Sequence, residues 1–162
     1  MLPRNRASKE LLRSAYLLYI ALLLGQVLLS FVIIFMLTQP GSTLNEGSAY
    51  PFLALLVIFF AAGAAWYVNK LRQDQIPILR PNFEGKLLHY RTSIAMRSAM
   101  VEAGNLFCLV MALFERSLMP FLFFCLGLVV FLYFRPQLKE LVALYQLNGE
   151  EQRLVEQYLK NR

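Results

Sequence analysis

Apolar and polar stretches alternate along this chain on the scale of whole helices. Arg4, Arg6, Lys9 and Arg13 are opposed by Glu10 alone, and Ala15 to Leu37 then runs without a charge. About 20 uninterrupted apolar residues suffice to cross a bilayer as a helix, so 15–37 is predicted to be a first span. A cleaved signal peptide is the competing reading, but its apolar core is usually about 7 to 15 residues and ends at small residues. This run ends instead at Thr38-Gln39-Pro40-Gly41.

Gln39 to Ala49 is rich in Gly, Ser, Asn and Pro, with Glu46 its one charge, and reads as a loop from which the chain turns straight back. The second span, 50–68, has Tyr50 at one end and Trp66 and Tyr67 at the other, where amphipathic rings favour the membrane interface. Its run Ala61-Ala62-Gly63-Ala64-Ala65 either admits another helix closely or marks a kinked end. Pro77 and Pro81 punctuate the next connection, and Asn82 to Arg91 keeps a helical pattern that can run unbroken into a third span, 92–114. Glu115-Arg116-Ser117 allows only an antiparallel return into a short fourth span, 118–134, with Pro120 near its start.

Beyond Arg135-Pro136 the pattern becomes amphipathic. Leu138, Leu141, Val142 and Tyr145 recur at helical spacing, and Asn148 to Glu151 offers a capping box for a last helix carrying Leu154, Val155, Tyr158 and Leu159. Such a tail can lie on the membrane surface, fold under the bundle or hold a partner. The expected fold class is therefore all-α: a four-helix transmembrane bundle, 1–136, followed by a short amphipathic helical tail, 137–162.

Composition agrees with that pattern. The chain is 58% hydrophobic with a mean hydropathy of +0.51, above the roughly 45 to 50% apolar content of soluble domains. Of its 16 Lys and Arg residues only Arg116 falls in a loop on the far side, so the positive-inside rule predicts both termini in the cytoplasm, at an inner (plasma) membrane. The net charge of +6 does not indicate nucleic acid, because the basic residues flank apolar segments instead of forming one face. Cys108 and Cys125 lie within spans and read as unpaired packing residues. His89, the single histidine, has no ligand partners at metal spacing. No phosphate-binding glycine loop, nucleophile elbow, HExxH, CxxC or haem histidine pair is present, so neither an enzyme nor a cofactor is expected.

The third span carries the chemistry that composition leaves over. Charges at membrane depth are costly and are kept where they face protein or water. At 100° per residue Arg91, Ser98, Glu102 and Asn105 share one face, while Arg97 lies about 140° from Glu102. Arg97 is expected to snorkel to the headgroups. Glu102 is expected to be a buried clasp, an ion- or proton-coupling carboxylate, or a contact to another subunit. Its candidate partners are Gln26 or Ser30 of the first span, or Arg97 or Arg91 of a neighbouring copy. The candidate intramembrane polar site is thus Arg97, Glu102, Asn105, Ser98 and Gln26. A weak internal repeat is also conceivable, with Gly25-Gln26 echoed by Gly104-Asn105 and Arg80-Pro81 by Arg135-Pro136.

The succession Tyr90-Arg91, Arg97, Glu102 and Leu106-Phe107, then Arg135-Pro136 and a tail with Leu147 and Glu150-Glu151, resembles a group of small uncharacterised bacterial four-helix membrane proteins. In layout, with Glu102 in the third span and Pro120 opening the fourth, the chain is also similar to ATP synthase protein I, a small assembly factor. The first resemblance brings no activity with it; the expected role is a non-enzymatic accessory, assembly or structural component of a membrane complex, partnered by the lipid bilayer and by another membrane protein or further copies of itself. The alternative is a small oligomeric channel or proton-coupled permease using Glu102.

Overall fold

The computed structural model describes residues 3–39, 44, 50–76 and 83–160. These form six helices: α1 (Pro3–Leu37), α2 (Pro51–Asp74), α3 (Phe83–Glu115), α4 (Met119–Tyr133), α5 (Leu138–Leu144) and α6 (Gly149–Lys160). The first three are long and apolar enough to cross a membrane, and α4 is a shorter apolar helix. Apart from Leu44, the Gly- and Ser-rich connection after Gln39, with Pro40, Gly41 and Glu46, and the punctuating Pro77, Arg80, Pro81 and Asn82 lie outside the described residues.

Helix boundaries follow local chemistry. A proline occupies the first turn of both α2 and α4, where its missing N–H removes a donor that would have no partner within the helix. At the other end of α3, Arg116 takes a left-handed φ of 48°. Its N–H donates to the Leu113 carbonyl, and that of Ser117 to Ala112. This pairing closes the helix C-terminus and reverses the chain within three residues. The Ser117 hydroxyl then accepts the Met119 N–H at the start of α4. A second left-handed residue, Gln146 (φ 47°), ends α5 in the same way, with the Leu147 N–H donating to Val142. The capping box forms as expected on its Glu side, where Glu151 accepts the Asn148 N–H at 2.9 Å.

Buried positions recur at helical spacings of three, four or seven residues. On α1 they are Leu12, Ala15, Tyr19, Gln26, Ser30, Ile33 and Leu37; on α4, Pro120, Phe124, Gly127 and Phe131. That spacing is the seam of near-parallel helix packing. Two apolar clusters fill it. One gathers Leu12, Ala15 and Tyr19 with Ala65, Leu87, Ile94 and Phe131, and the other gathers Ile33 and Leu37 with Ala54, Ile58, Leu109 and Phe124. The early part of α1 thus meets the early part of α3 and the late parts of α2 and α4. The helices therefore alternate in direction, and α3 is the hub, packed on α1, α2 and α4.

Outside this seam the surface is apolar. Phe31, Phe35, Phe52, Phe59, Phe60 and Phe114 are all exposed, Phe52 and Phe114 to 81%, whereas Gln26 and Asn105 are 0% exposed. Polar side chains inside and phenylalanines outside reverse the distribution of a water-soluble domain and suit a lipid solvent.

The small-residue run of α2 makes one close contact. A Cβ added at Gly104 of α3 would lie 2.8 Å from the Ala61 Cβ, while Gly63 faces open space. Ala61 and the fully buried Ala65 therefore form the approach surface, and Gly63 does not.

All three long helices overrun the predicted spans: α1 begins before Ala15, α2 continues past Val68, and α3 starts at Phe83 and passes unbroken into its apolar part. The tail's open placement is resolved by packing. Leu141, Tyr145, Leu147 and Val155 join the same cluster as Leu12 and Leu87, and Lys86 of α3 pairs with Glu151 of α6 at 3.0 Å. The tail folds under the bundle, because its apolar stripe finds a matching stripe where α3 projects beyond the apolar layer.

Candidate functional site

Two polar clusters sit on α3, one at its middle and one toward the end where the tail packs. In the middle, the Asn105 Nδ2 donates to the Gln26 Oε1 at 2.7 Å, joining α3 to α1. The Asn105 Oδ1 lies where a Gly127 side chain would begin, only 1.8 Å from an added Cβ. A glycine at that position of α4 is thus a steric requirement of the amide pair. Gln26 Nε2 and Asn105 Oδ1 have no further hydrogen-bond partner among the described residues. The pair is fully buried, with each amide half satisfied by the other.

This corrects the expected partner of Glu102. Gln26 is taken by Asn105, and the Ser30 hydroxyl donates to the Val27 carbonyl of its own helix at 2.7 Å. Gln26 Oε1 accepts from the Asn105 amide, and Gln26 Nε2, the donor that a carboxylate would need, makes no bond to Glu102. Glu102 is partly buried and makes no hydrogen bond or ion pair among the described residues. It stands at the border between the α1-facing seam and the outward positions Ala99 and Ala103. Ser98 is 1% exposed, and its hydroxyl has no partner among the described residues. The two Gly-polar pairs of the suggested repeat meet through their polar members, but their glycines differ in use: Gly25 faces open space and Gly104 is tightly packed.

The second cluster corrects the expectation for Arg97. Its side chain is 3% exposed and does not snorkel. Both terminal nitrogens engage Glu140 of α5, Nη2 to Oε2 at 2.8 Å, and Nη1 also donates to Asn69 of α2 at 3.1 Å. The guanidinium lies 6.0 Å from the Phe134 ring centroid. A planar fork that grips a carboxylate with two parallel bonds is the geometry in which arginine tolerates burial. The physical reason for the correction is the return of the tail, which brings a carboxylate to Arg97 and removes its need to reach the headgroups.

Around this fork further bonds tie the same elements. Arg72 Nε donates to Ser93 Oγ at 2.8 Å, and Ser93 donates to the His89 carbonyl. His89 Nδ1 and the Tyr145 hydroxyl are 2.7 Å apart, and the Tyr90 hydroxyl donates to the Gln137 carbonyl at 3.0 Å. Burial pushes the Tyr145 hydroxyl up to about 12. Sequence reasoning missed Glu140, Asn69, Tyr145 and the pairing role of His89. The one available signal was Glu140 beside an apolar stripe, and it gave no indication of a partner 43 residues away.

Beside the Arg97 fork opens a cavity of about 410 Å³ between the later part of α2, Arg97 of α3, the end of α4 and the start of α5. Among the described residues no three His, Cys, Asp or Glu side chains are grouped as metal ligands. Cys108 is buried and Cys125 exposed, both as free thiols. Comparison of the chain with protein-family models, with curated proteins and with solved structures finds no match.

Proposed function

We propose that this chain is a non-enzymatic multi-pass membrane protein that serves as an accessory or assembly component of a larger membrane complex. In this reading α4 completes a four-helix transmembrane bundle and both termini lie in the cytoplasm of a bacterial cell. The 15 residues of α4 give a length of about 22 Å, short of a hydrocarbon layer of about 30 Å. Leu118 and Phe134 at its ends, or local thinning of the bilayer, supply the remainder. The concentration of Lys and Arg at the end holding both termini supports the orientation.

The observation that carries the proposal is the use of polar groups inside the seam. Gln26 and Asn105 bond to each other across α1 and α3 in a fully buried contact, and Arg97 bonds to Glu140 and Asn69. Such pairs fix helix register, which is the use a scaffold makes of buried polar groups. Glu102 differs from these pairs, as a carboxyl at the edge of the outward face without a partner among the described residues. A cationic or hydrogen-bonding group of an adjacent membrane protein would satisfy it at low cost.

The test is recovery of the full-length tagged chain from membranes in mild detergent, with Glu102→Gln alongside. A partner retained by the wild type and lost with Glu102→Gln is expected; isolation of this chain alone in both cases refutes an accessory role. Glu102 also supports a second reading, the oligomeric channel or proton-coupled permease. In vesicles holding the purified chain, ion or proton flux abolished by Glu102→Gln establishes that alternative in place of the first.

A further inference from the structure

We propose that the cavity beside the Arg97 fork binds a phosphate group, carried by the headgroup of an anionic membrane lipid. Its volume of about 410 Å³ is far more than one water needs and lies within the range of ligand pockets. Lys70 at the end of α2 and Arg135 just after α4 both line it, so two cations from different helices converge on one space. Neither forms an ion pair among the described residues, and the Lys70 ammonium is held 5.5 Å from the centroid of the Trp66 ring.

Glu140 also lines the cavity, but its charge is already matched. Both of its oxygens are bound by Arg97, so the fork presents a neutral wall and Lys70 and Arg135 leave a formal excess of two positive charges. Arg97 itself lines the cavity while its terminal nitrogens stay on Glu140 and Asn69, so it holds the wall in place. Asn69 gives its oxygen to Arg97, which leaves its Nδ2 as a donor, and Gln73 stands one helical turn further along the same wall. An ammonium and a guanidinium backed by amide donors are the chemistry that recognises phosphate oxygens.

The setting selects the source of that phosphate. Trp66 and Tyr133, both exposed aromatic residues, flank the cavity where α2 and α4 leave their apolar stretches. Amphipathic rings at that level mark the interfacial layer, and basic pockets between spanning helices there hold anionic headgroups. Acyl chains then descend along the apolar surface of the bundle, and only the headgroup enters the protein.

The experiment uses the full-length chain purified in a neutral detergent and titrated with phosphatidylglycerol, phosphatidylcholine or inorganic phosphate, with thermal unfolding as the readout. Phosphatidylglycerol is expected to stabilise the wild type at concentrations where phosphatidylcholine does not. The double variant Lys70→Gln/Arg135→Gln should weaken that effect about tenfold or more. A charge-matched control, Lys139→Gln/Arg153→Gln, changes two exposed cations outside the cavity and should respond as the wild type does. Equal responses from the two double variants, or equal effects of the two lipids on the wild type, overturn the proposal. Lys70→Arg guards against a folding artefact, since it must retain binding; a loss equal to that of Lys70→Gln also overturns the charge argument. Displacement of lipid by millimolar inorganic phosphate would support the phosphate site while assigning it a soluble source, and resistance to displacement supports the lipid. No partner protein is needed for any of these measurements, so their failure is separate from failure of the accessory role.

Discussion

Removing the carboxylate that holds Arg97 should do more damage than its partial exposure suggests. In Glu140→Ala the guanidinium keeps its Asn69 contact but loses two charge-assisted bonds, while its side chain is 3% exposed and Glu140's is 22% exposed. Breaking a buried ion pair from one side costs roughly 3 to 5 kcal/mol. Water can enter from the Glu140 side and from the adjoining cavity, so the lower end applies, about 3 kcal/mol. Because Glu140 belongs to the tail, the loss should appear first as local opening of residues 138–160, with an opening constant raised by about two orders of magnitude. Amide hydrogen exchange in detergent measures this directly, and a double-mutant cycle with Arg97→Met isolates the pair. The double variant should recover about 1.5 kcal/mol or more of the Glu140→Ala loss, since no buried charge is then left alone. Exchange in the tail unchanged by Glu140→Ala, or strict additivity in the cycle, would refute the assignment of Arg97 as the residue that seats the tail.

The remaining expectations concern other contacts. Asn105→Leu alone should lower resistance to unfolding by about 1 kcal/mol, and adding Gln26→Leu should restore part of it, because the second change removes the orphaned amide; denaturant titration followed by circular dichroism decides. Gly104→Ala forces a Cβ to within 2.8 Å of Ala61 and should cost about 1 to 3 kcal/mol, whereas Gly63→Ala meets nothing within 4 Å and should be neutral or stabilising by up to about 1 kcal/mol. Gln146→Gly relieves a φ of 47° and should raise the stability of the tail by about 0.5 to 1 kcal/mol, visible as slower proteolysis after α5. Tyr145 is raised from 10.0 to about 12 by burial, so the folded state holds its proton more firmly than the unfolded one. The stability this contributes is complete below pH 10 and is lost as pH rises toward 12, a loss that Tyr145→Phe should abolish in unfolding curves taken across that window.

Hydrophobic periodicity placed the helices well, because a lipid-exposed helix announces itself by composition over its whole length. Ala15 to Leu37 lies entirely within α1, and the unbroken passage from Phe83 through Arg91 into the apolar part of α3 was legible from Leu87, Leu88 and Tyr90. The polar site was legible only as a set of residues. Arg91, Ser98, Glu102 and Asn105 could be placed on one face of α3 by counting, and Gln26 within α1, but which pair bonds depends on the rotation of α1 against α3 and on the space left by Gly127. Arg97 was misjudged for a related reason: snorkelling is the local solution for a cation near a span end, and a non-local carboxylate displaced it.

By itself, then, the sequence determined that the chain is all-helical, which segments are apolar enough for a bilayer, and that basic residues gather at one end, since all three follow from transfer energies summed over neighbouring residues. Tertiary structure decided which polar groups meet. Asn105 with Gln26, Arg97 with Glu140 and Asn69, and the convergence of Lys70 and Arg135 on one cavity each join different helices. Contacts of a few ångströms between distant segments depend on helix rotation and on the return of the tail, and no periodicity along the chain encodes either.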